Sequence, residues 1–298
     1  MNDKLFTPSE AADILKLKKN TVYEMIKRGT LKAVKMGKQI RITESDLNEL
    51  INPPKSYSRQ KENETAENII VCGQDIVLDM LCSATNLEIG TSCFVRSYEG
   101  SYNGLLALYK DEVTVASAHL WDRCTDTYNL PFIQALIPGE KIQVYHVLSR
   151  PVGLYVAKGN PKDIHSVKDF LRSDIKIVNR EKGSGIRILT DSLMLELGVN
   201  TSFVNGYDRI VNSHLAAAAM VSRGGSDCAL GNKNVALQYA NLDFIELKME
   251  QYDLVLKESS LGRNEILTMI RILQSVQFQE EIEAMGFYDI SDIGKRFL

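Results

Sequence analysis

The hydrophobic and polar positions at the start of the chain predict two short helices in succession. Thr7-Pro8-Ser9-Glu10 reads as a capping box with Pro at the first helical position, and apolar residues at helical spacing follow it. A second helix is predicted over Thr21–Arg28, where Gly29 ends it. Two short helices joined by a tight turn are typical of a helix-turn-helix.

The pattern after the second helix changes to that of a hairpin. Leu31–Val34 and Gln39–Ile42 are strand-like runs on either side of a turn that holds Gly37. Thr43-Glu44-Ser45-Asp46 then caps a third helix. The sequence therefore predicts a winged helix-turn-helix over residues 1–51.

The rest of the chain has an α/β pattern. Residues 52–68 begin with Pro-Pro after Asn52 and have no apolar period, so they predict a linker. From Ile69 onward, apolar runs alternate with helical patterns, which predicts a parallel sheet with crossover helices. The predicted strands are Ile69–Val71, Cys93–Val95, Val113–Ala116, Val152–Ala157 and Ile175–Val178. The predicted helices are Ile76–Leu87, a segment around Leu105–Tyr109, Gly185–Leu197 and His214–Arg223.

Charge is concentrated at the N-terminal end. Between Lys16 and Arg41 there are nine basic residues and one acidic residue, Glu24, whereas the whole chain has a net charge of −3. A solvated basic surface would explain charge alone, but its placement on the second helix and the hairpin favours contact with DNA phosphates. The candidate DNA-contacting residues are Lys18, Lys19, Asn20, Thr21, Tyr23, Lys27, Arg28, Lys38 and Arg41.

Composition limits the remaining choices. A chain of 298 residues is too long for the helix-turn-helix alone, and 44% hydrophobic residues can build further cores. No stretch is apolar and long enough to span a bilayer or to act as a signal peptide, so we expect a cytoplasmic protein without membrane contact. The five cysteines form no CxxC pair and the four histidines are scattered, so we expect reduced thiols, no metal site and no cofactor.

The N-terminal segment "TPSEAADIL…TVYEMIKRGTLKAVKMGKQIRITESDL" resembles the excisionase and MerR-type winged-helix family. That resemblance implies that the second helix enters the major groove and that the hairpin touches the DNA backbone or minor groove. The family usually has a Ser or Thr cap at the start of that helix. This chain has Lys18-Lys19-Asn20 there, and either a late Asn20 cap or phosphate contact by the lysines would account for the difference.

The second part resembles the periplasmic-binding-protein superfamily of type II, in a form fused to a helix-turn-helix. The matching segments are "GSYNGLLALYKDEVTVASAHLWD", "YNLPF", "GLYVAKGNP", "NREKGSGIR" and "YDLVL". The resemblance implies a two-lobed α/β domain over residues 69–298, with two or three crossing strands as a hinge. One lobe would comprise about residues 69–150 and 245–298, and the other about residues 151–244.

The ligand-contacting candidates lie where strands lead into helices. Gly183-Ser184-Gly185-Ile186-Arg187 opens a helix after a strand, so its backbone N–H groups and guanidinium suit an anion. This loop also resembles the Ser-Gly loop of molybdate- and tungstate-binding members. Trp121 would either stack on a ligand or pack between lobes, and Asp75 argues against a bare anion. The complete candidate set is Asp75, Ser97, Tyr98, Ser101, His119, Trp121, Ser184, Gly185, Arg187, Tyr207 and His214.

These features together predict a ligand-responsive transcriptional regulator. We expect its head to bind a double-stranded DNA operator as a homodimer, and its cleft to bind a molybdate- or tungstate-like oxyanion or a small organic anion. Two alternatives stay open: an excisionase-type accessory protein for recombination, and an enzyme that acts on a small molecule in the cleft. Against an enzyme, the sequence shows no Ser/His/Asp ordering, metal-ligand spacing or nucleotide-binding loop.

Overall fold

A computed structural model describes residues 5–15, 19–27, 31–36, 39–51, 68–198 and 200–298. The chain divides into two compact units, Met1–Glu64 and Thr65–Leu298. Among the described residues, no helix has both the length and the apolar character needed to cross a bilayer.

The N-terminal unit has the predicted order of helices and strands. A three-stranded sheet has the order β1–β3–β2, with both pairings antiparallel. Its elements are β1 (Leu5–Phe6), α1 (Pro8–Leu15), α2 (Lys19–Lys27), β2 (Val34–Met36), β3 (Gln39–Thr43) and α3 (Glu44–Ile51). The core is formed by buried Ala11, Ala12, Val22, Leu31, Ile42 and Leu47.

The caps of the first and third helices explain where they begin. Thr7 N–H donates to Glu10 Oε2 (2.7 Å) and Glu10 N–H donates to Thr7 Oγ1 (3.3 Å), which confirms the capping box. Asp46 N–H donates to Thr43 Oγ1 (3.1 Å) in the same way at α3. The second helix differs from the prediction, because Lys19 and Asn20 already lie within α2 and Asn20 is not a late cap.

The hairpin also differs from its predicted bounds. β2 begins at Val34, where the sequence predicted a strand to end, and the predicted turn at Gly37 lies outside the described residues. The strand β1, which the sequence did not predict, pairs Leu5 with Thr43 and Phe6 with Ile42. A two-residue strand is too short to leave a periodic signal.

The second unit, in the part that the structure describes, is built on an eight-stranded sheet. Its order is β11–β10–β12–β9–β13–β6–β4–β5. The strands of this sheet are β4 (Ile69–Cys72), β5 (Phe94–Ser97), β6 (Val115–Ala118), β9 (Ile142–Ala157), β10 (Ile177–Arg180), β11 (Ile210–Val211), β12 (Cys228–Asn232) and β13 (Leu242–Lys257). A separate hairpin is formed by β7 (Trp121–Asp122) and β8 (Thr127–Tyr128).

Helices cover the faces of this sheet. They are α4 (Ile76–Ile89), α5 (Ser101–Tyr109), α6 (Leu130–Leu136), α7 (Gly185–Glu196), α8 (His214–Ser222), α9 (Lys233–Ala236), α10 (Asn264–Leu273) and α11 (Val276–Met285). We call β4–β6 with α4–α6, α10 and α11 the first lobe, and β10–β12 with α7–α9 the second lobe. Each lobe has separate apolar clusters on its two sheet faces, as expected when helices cover both sides.

Two long strands join the lobes. β9 and β13 are sixteen residues each and pair with each other antiparallel, from Ala157 opposite Leu242 to Ile142 opposite Lys257. β12 and β6 pair antiparallel with them, whereas the other pairings of this sheet are parallel. The predicted parallel pairing therefore holds within each lobe, whereas the sheet is antiparallel in its centre, where the two crossing strands traverse both lobes in opposite directions.

Candidate functional site

The carboxyl ends of strands from both lobes meet at one cleft. Four helices of the unit begin there, each directly after a strand: α4 after β4, α5 after β5, α7 after β10 and α8 after β11. Such strand ends are where open α/β sheets bind ligands. A narrow chamber, part of it open to solvent, lies there. Its lining is Gly73, Gln74, Glu99, Gly100, Ser101, Ser117, His119, Arg180, Ser184, Gly185, Ile186 and His214.

The loops of the two lobes touch beside this chamber. Tyr102 N–H, at the start of α5, donates to Gly183 O of the loop before α7 (3.1 Å). A Cβ on Gly100 would lie 2.6 Å from Ser184 Cα, and one on Gly185 would lie 2.3 Å from the His119 ring. Only glycine permits backbones to approach so closely. The N-terminal turns of α5 and α7 thus face the same small space from opposite lobes, and the positive ends of both helix dipoles add there.

Arg180 is the cation of the chamber. It ends β10, is 1% exposed, and donates from Nε and Nη2 to the two carboxylate oxygens of Glu181 (both 2.8 Å). Nη2 also reaches across the cleft to Gln74 Oε1 (2.7 Å). The third nitrogen, Nη1, is buried and has no hydrogen-bond partner among the described residues. A buried guanidinium N–H without an acceptor costs free energy, so this atom marks a place for an acceptor.

Two histidines of the chamber are held neutral. Burial lowers the pKa of His119 to about 4, and it lowers the pKa of His214 well below its ordinary value. His214 Nδ1 accepts from Asn232 N–H (3.4 Å), so the proton of the neutral ring lies on Nε2, which is left as a donor. His119 Nδ1 pairs with Ser101 Oγ (3.0 Å), and its ring stacks on Tyr252 at 5.3 Å between centroids.

A wider groove lies beside the chamber. It holds about 910 Å³ of space, again partly open, and shares Gln74 and His214 with the chamber. The first lobe contributes Asp75, Ile76, Tyr98 and Tyr288, and the second contributes Asn212, Ser213, Leu215, Asn232, Asn234, Val235 and Gln238.

A buried ion-pair network lies at the base of the cleft, where the strands cross. Arg150 of β9 stands opposite Glu250 of β13 and donates to it (Nε to Oε1, 2.5 Å), while its Nη1 donates to Asp75 Oδ2. The three side chains are at most 5% exposed. Although burial lowers it, the carboxylates of Glu250 and Asp75 raise the pKa of Arg150 above its ordinary value. Because Arg150 serves both carboxylates, the three side chains together carry one net negative charge, and the objection that Asp75 raises against a bare anion remains.

The structure brings most of the predicted ligand-contacting residues together. Ser101, His119, Ser184, Gly185 and His214 line the chamber. The groove is lined by Asp75 and Tyr98, and by His214 again. Ser184 also caps α7, since its Oγ accepts from Arg187 N–H (3.2 Å).

Four predicted residues lie outside both linings. The Arg187 guanidinium pairs with Asp191 (Nε to Oδ1, 3.0 Å) and lies 4.3 Å from the centre of the Tyr207 ring, so Arg187 and Tyr207 engage each other and α7 instead of the chamber. Ser97 is the last residue of β5. Its backbone carbonyl accepts from Gly73 N–H (2.9 Å).

Trp121, the fourth of these residues, packs in an apolar cluster of the second lobe. It is 5% exposed, and its Nε1–H donates to Asp126 Oδ1 (2.8 Å). The packing interpretation of Trp121 therefore agrees with the structure better than the stacking one.

Several residues that complete the lining left little sign in the sequence. The strand before Arg180 was predicted to end at Val178, so Arg180 was assigned to a loop, and Gln74 was not singled out as a ligand contact. Asn234 and Tyr288 come from distant parts of the chain. A polar residue at the last position of a strand is the signal that would have found Arg180.

The fold also aligns a serine, a histidine and an aspartate that the sequence did not reveal. Ser149 Oγ lies 3.4 Å from His146 Nε2, and His146 Nδ1 lies 2.8 Å from Asp253 Oδ1. Ser149 forms a two-way backbone bridge with Asp289, and neither residue of the Ser149–His146 pair lines the chamber or the groove. Nucleophilic catalysis needs room for a substrate carbonyl beside the serine. Because Ser149 is bridged to Asp289, we interpret the Ser149–His146–Asp253 group as part of the contact between the C-terminal segment and β9.

The DNA-contacting candidates can be placed in part. Lys19, Thr21 and Tyr23 are exposed on α2, and Tyr23 is 42% exposed beside buried Val22. Arg41 is half-buried on β3. Asn20 and Lys27 are described only as part of helix α2, and Lys18, Arg28 and Lys38 lie outside the described residues.

Comparison with family models assigns both units. Residues 86–274 match the model described as a PBP superfamily domain. The chain belongs to this superfamily. Residues 5–53 match a second model, described as a helix-turn-helix domain. The resemblances inferred from the sequence are thereby confirmed, and the chain joins a DNA-binding domain of a transcriptional regulator to a domain of a ligand-binding superfamily.

Similar proteins agree with this assignment. The chain is 38% identical to the "Uncharacterized protein YvgK" of Bacillus subtilis over 98% of its own length and 97% of that protein. A "Putative Phosphate ABC Transporter Substrate-Binding Protein" from Clostridium perfringens, with bound phosphate, has 14% identity and a TM-score of 0.57 and covers 75% of this chain and 99% of that one. A hydrogen-peroxide-bound mutant of Corynebacterium glutamicum OxyR has 12% identity and a TM-score of 0.55, covering 94% of this chain and 89% of that one. At these identities the two structures show a shared fold.

Proposed function

We propose that this protein is a cytoplasmic transcriptional regulator whose cleft binds a small anion and whose N-terminal unit binds an operator. The observation that supports the anion most directly is the buried Nη1 of Arg180, which lacks an acceptor among the described residues, in a chamber where helices begin. Helix N-termini and a guanidinium are together a strong environment for an anionic oxygen. We propose no catalytic step and no bound cofactor.

The lining of the chamber is polar. The side chains of Ser101, Ser117 and Ser184 line it together with neutral imidazoles. Ser184 Oγ donates to Glu181 O, and the other two hydroxyls pair with His119 and Tyr252. Carboxylates near the site contact guanidinium groups: Glu181 pairs with Arg180, whereas Asp75 and Glu250 share Arg150. The phosphate bound in the Clostridium perfringens structure is consistent with an anionic ligand in a protein of this fold. Whether a molybdate- or tungstate-like oxyanion is preferred stays a prediction.

The DNA-binding part of the proposal rests on the first unit. Exposed Lys19, Thr21 and Tyr23 lie on α2, the helix that corresponds to a recognition helix in this type of domain. Because one such unit reads a short half-site, we propose that a homodimer binds a two-fold operator and that ligand binding at the cleft changes the affinity of the pair. An excisionase-type accessory role needs no ligand cleft, which is why the regulator is preferred.

The proposal is tested by calorimetry on the full chain. Phosphate, sulfate, molybdate and a series of small carboxylates are titrated in turn, with chloride as the control. Saturable binding of at least one of them, with a stoichiometry near one per chain, is the expected result. A chain that binds none of them but is well folded by circular dichroism would refute the anion site, while leaving the DNA-binding proposal to be tested by its own operator selection.

A further inference from the structure

We infer that the ligand is an organic anion, with an acidic head in the chamber and a body in the adjoining groove that carries a hydrogen-bond donor. The inference rests on the proposed anion site and narrows its ligand class. Its basis is that the chamber and the groove lie side by side. Each is lined by a residue with a buried polar atom that has no partner among the described residues.

The two compartments are adjacent. Gln74 and His214 line both, and His214 is also the first residue of α8. The groove is much wider than the chamber. A bare oxyanion would engage the chamber and leave the groove unused, whereas a head of the same size attached to a small body would engage both.

The groove is suited to an uncharged body. Among its lining residues, all of which the structure describes, Asp75 is the one charged side chain, because His214 is neutral, and Asp75 shares Arg150 with Glu250. Tyr98 and Tyr288 supply ring faces, and Ile76 and Leu215 are more than half exposed. Small-molecule sites typically combine such apolar and aromatic surface with a few polar groups that fix orientation.

The unpaired atoms specify the polarity of the ligand. In the chamber, the unpaired atom is a donor, Arg180 Nη1. In the groove, it is an acceptor, Asn234 Oδ1, which is buried without a partner in the described part of the chain. Tyr288 of the same lining donates to Asp75 Oδ1 (3.4 Å). A ligand that satisfies both atoms has acceptor oxygens at one end and an O–H or N–H group at the other.

Organic phosphates and hydroxy or amino acids share this chemistry, and matched probes separate them. The full chain is titrated with inorganic phosphate, propyl phosphate and glycerol 3-phosphate, and in parallel with formate, propanoate, 3-hydroxypropanoate and β-alanine. A wider library of phosphomonoesters and small hydroxy and amino acids follows in the same assay. We expect the tightest binder to be a donor-bearing organic anion, with an affinity at least about tenfold above that of its bare head, as one well-made hydrogen bond and some buried apolar surface would give.

The variant Asn234→Leu tests the groove. It removes the acceptor at similar volume, so it should weaken the donor-bearing ligand about three- to tenfold and leave the affinity for the bare head unchanged. Asn241→Leu is the matched control, since Asn241 is exposed on the same lobe and outside the groove lining. If Asn234→Leu does not fold, Asn234→Ala replaces it, because it removes the same acceptor with a smaller side chain, and the same loss of about three- to tenfold is expected.

The outcomes are distinct. Bare heads that bind as tightly as every organic anion, or an Asn234→Leu variant that binds the tightest organic ligand as well as Asn241→Leu does, would overturn the organic ligand while the anion site stands. A chain that binds no anion of either kind would refute the proposed anion site and this inference with it.

Discussion

Replacing Arg180 tests whether the anion is bound by Arg180, as the structure indicates, or by Arg187, as the sequence predicted. Arg180 and Arg187 lie seven residues apart around one loop, and both are buried. Arg180 lines the chamber, and its Nη1 has no partner among the described residues, whereas the Arg187 guanidinium is engaged by Asp191 and Tyr207. The variants Arg180→Met and Arg187→Met therefore make a matched pair.

The expected magnitude follows from the contacts of Arg180. Its bonds to Gln74 and Glu181 are made within the protein, so we expect their loss to affect stability more than affinity. Only the bond from Nη1 to the ligand is counted in binding. A hydrogen bond to a charged group contributes roughly 1.5–3 kcal/mol, which is about ten- to a hundredfold in Kd. Arg180→Lys should recover part of this, because an ammonium keeps the charge and loses the planar fork.

The assay is calorimetric titration of wild type and the three variants with the tightest anion found, beside a thermal melt of each protein. Arg180→Met should lose about ten- to a hundredfold in affinity, and Arg187→Met should bind as wild type does wherever it is folded. Equal affinity in wild type and Arg180→Met, or a loss confined to Arg187→Met, would show that the chamber does not hold the anionic group.

Three further predictions concern other parts of the chain. Replacing Lys18, Lys19, Lys27 and Arg28 with Ala should lower the salt dependence of DNA binding by about one unit of slope per lost phosphate contact; an unchanged slope in an anisotropy titration would remove these residues from the interface. Arg150→Met should destabilise the protein by about 3–5 kcal/mol in urea unfolding, since it leaves Glu250 and Asp75 buried without their cation, and Arg150→Met with Glu250→Gln should recover part of that loss. Because the folded-state pKa of His119 is about 4, below its ordinary value, its contribution to stability is present above about pH 6.5 and is lost as the pH falls toward 4, by about 2 kcal/mol between pH 7 and pH 5. His119→Gln should lose less stability over that interval, and an equal loss would show that other groups govern the acid response.

Much of the fold could be predicted because its signals are local. The capping box at Thr7 and Glu10, the apolar run Ile69–Cys72 and the helix that follows Gly183-Ser184 are each read from a few neighbouring residues. The long strands were only partly predicted. β9 begins at Ile142 and runs through Pro151, whereas the sequence placed a strand from Val152, since Pro interrupts most strands.

The site was harder to predict because its polar residues come together only in the fold. β10 was ended at Val178 when its apolar run stopped, yet the strand continues through buried Asn179 and Arg180. Arg150 and Glu250 are paired across a hundred residues of chain. A short-range pattern assigns such charges to the surface, and only the register of the two crossing strands puts them opposite each other.

We propose an anion for the cleft although several carboxylates lie near it. Glu181 is engaged by two nitrogens of Arg180, and Asp75 is engaged by Arg150, which Glu250 holds from the other side. Glu99 also lines the chamber, but it is exposed, so water and salt screen it. The neutral His119 and His214 add no positive charge. The positive potential that remains at the chamber comes from the N-termini of α5 and α7 and from Arg180, and an acidic head is the group that it would stabilise.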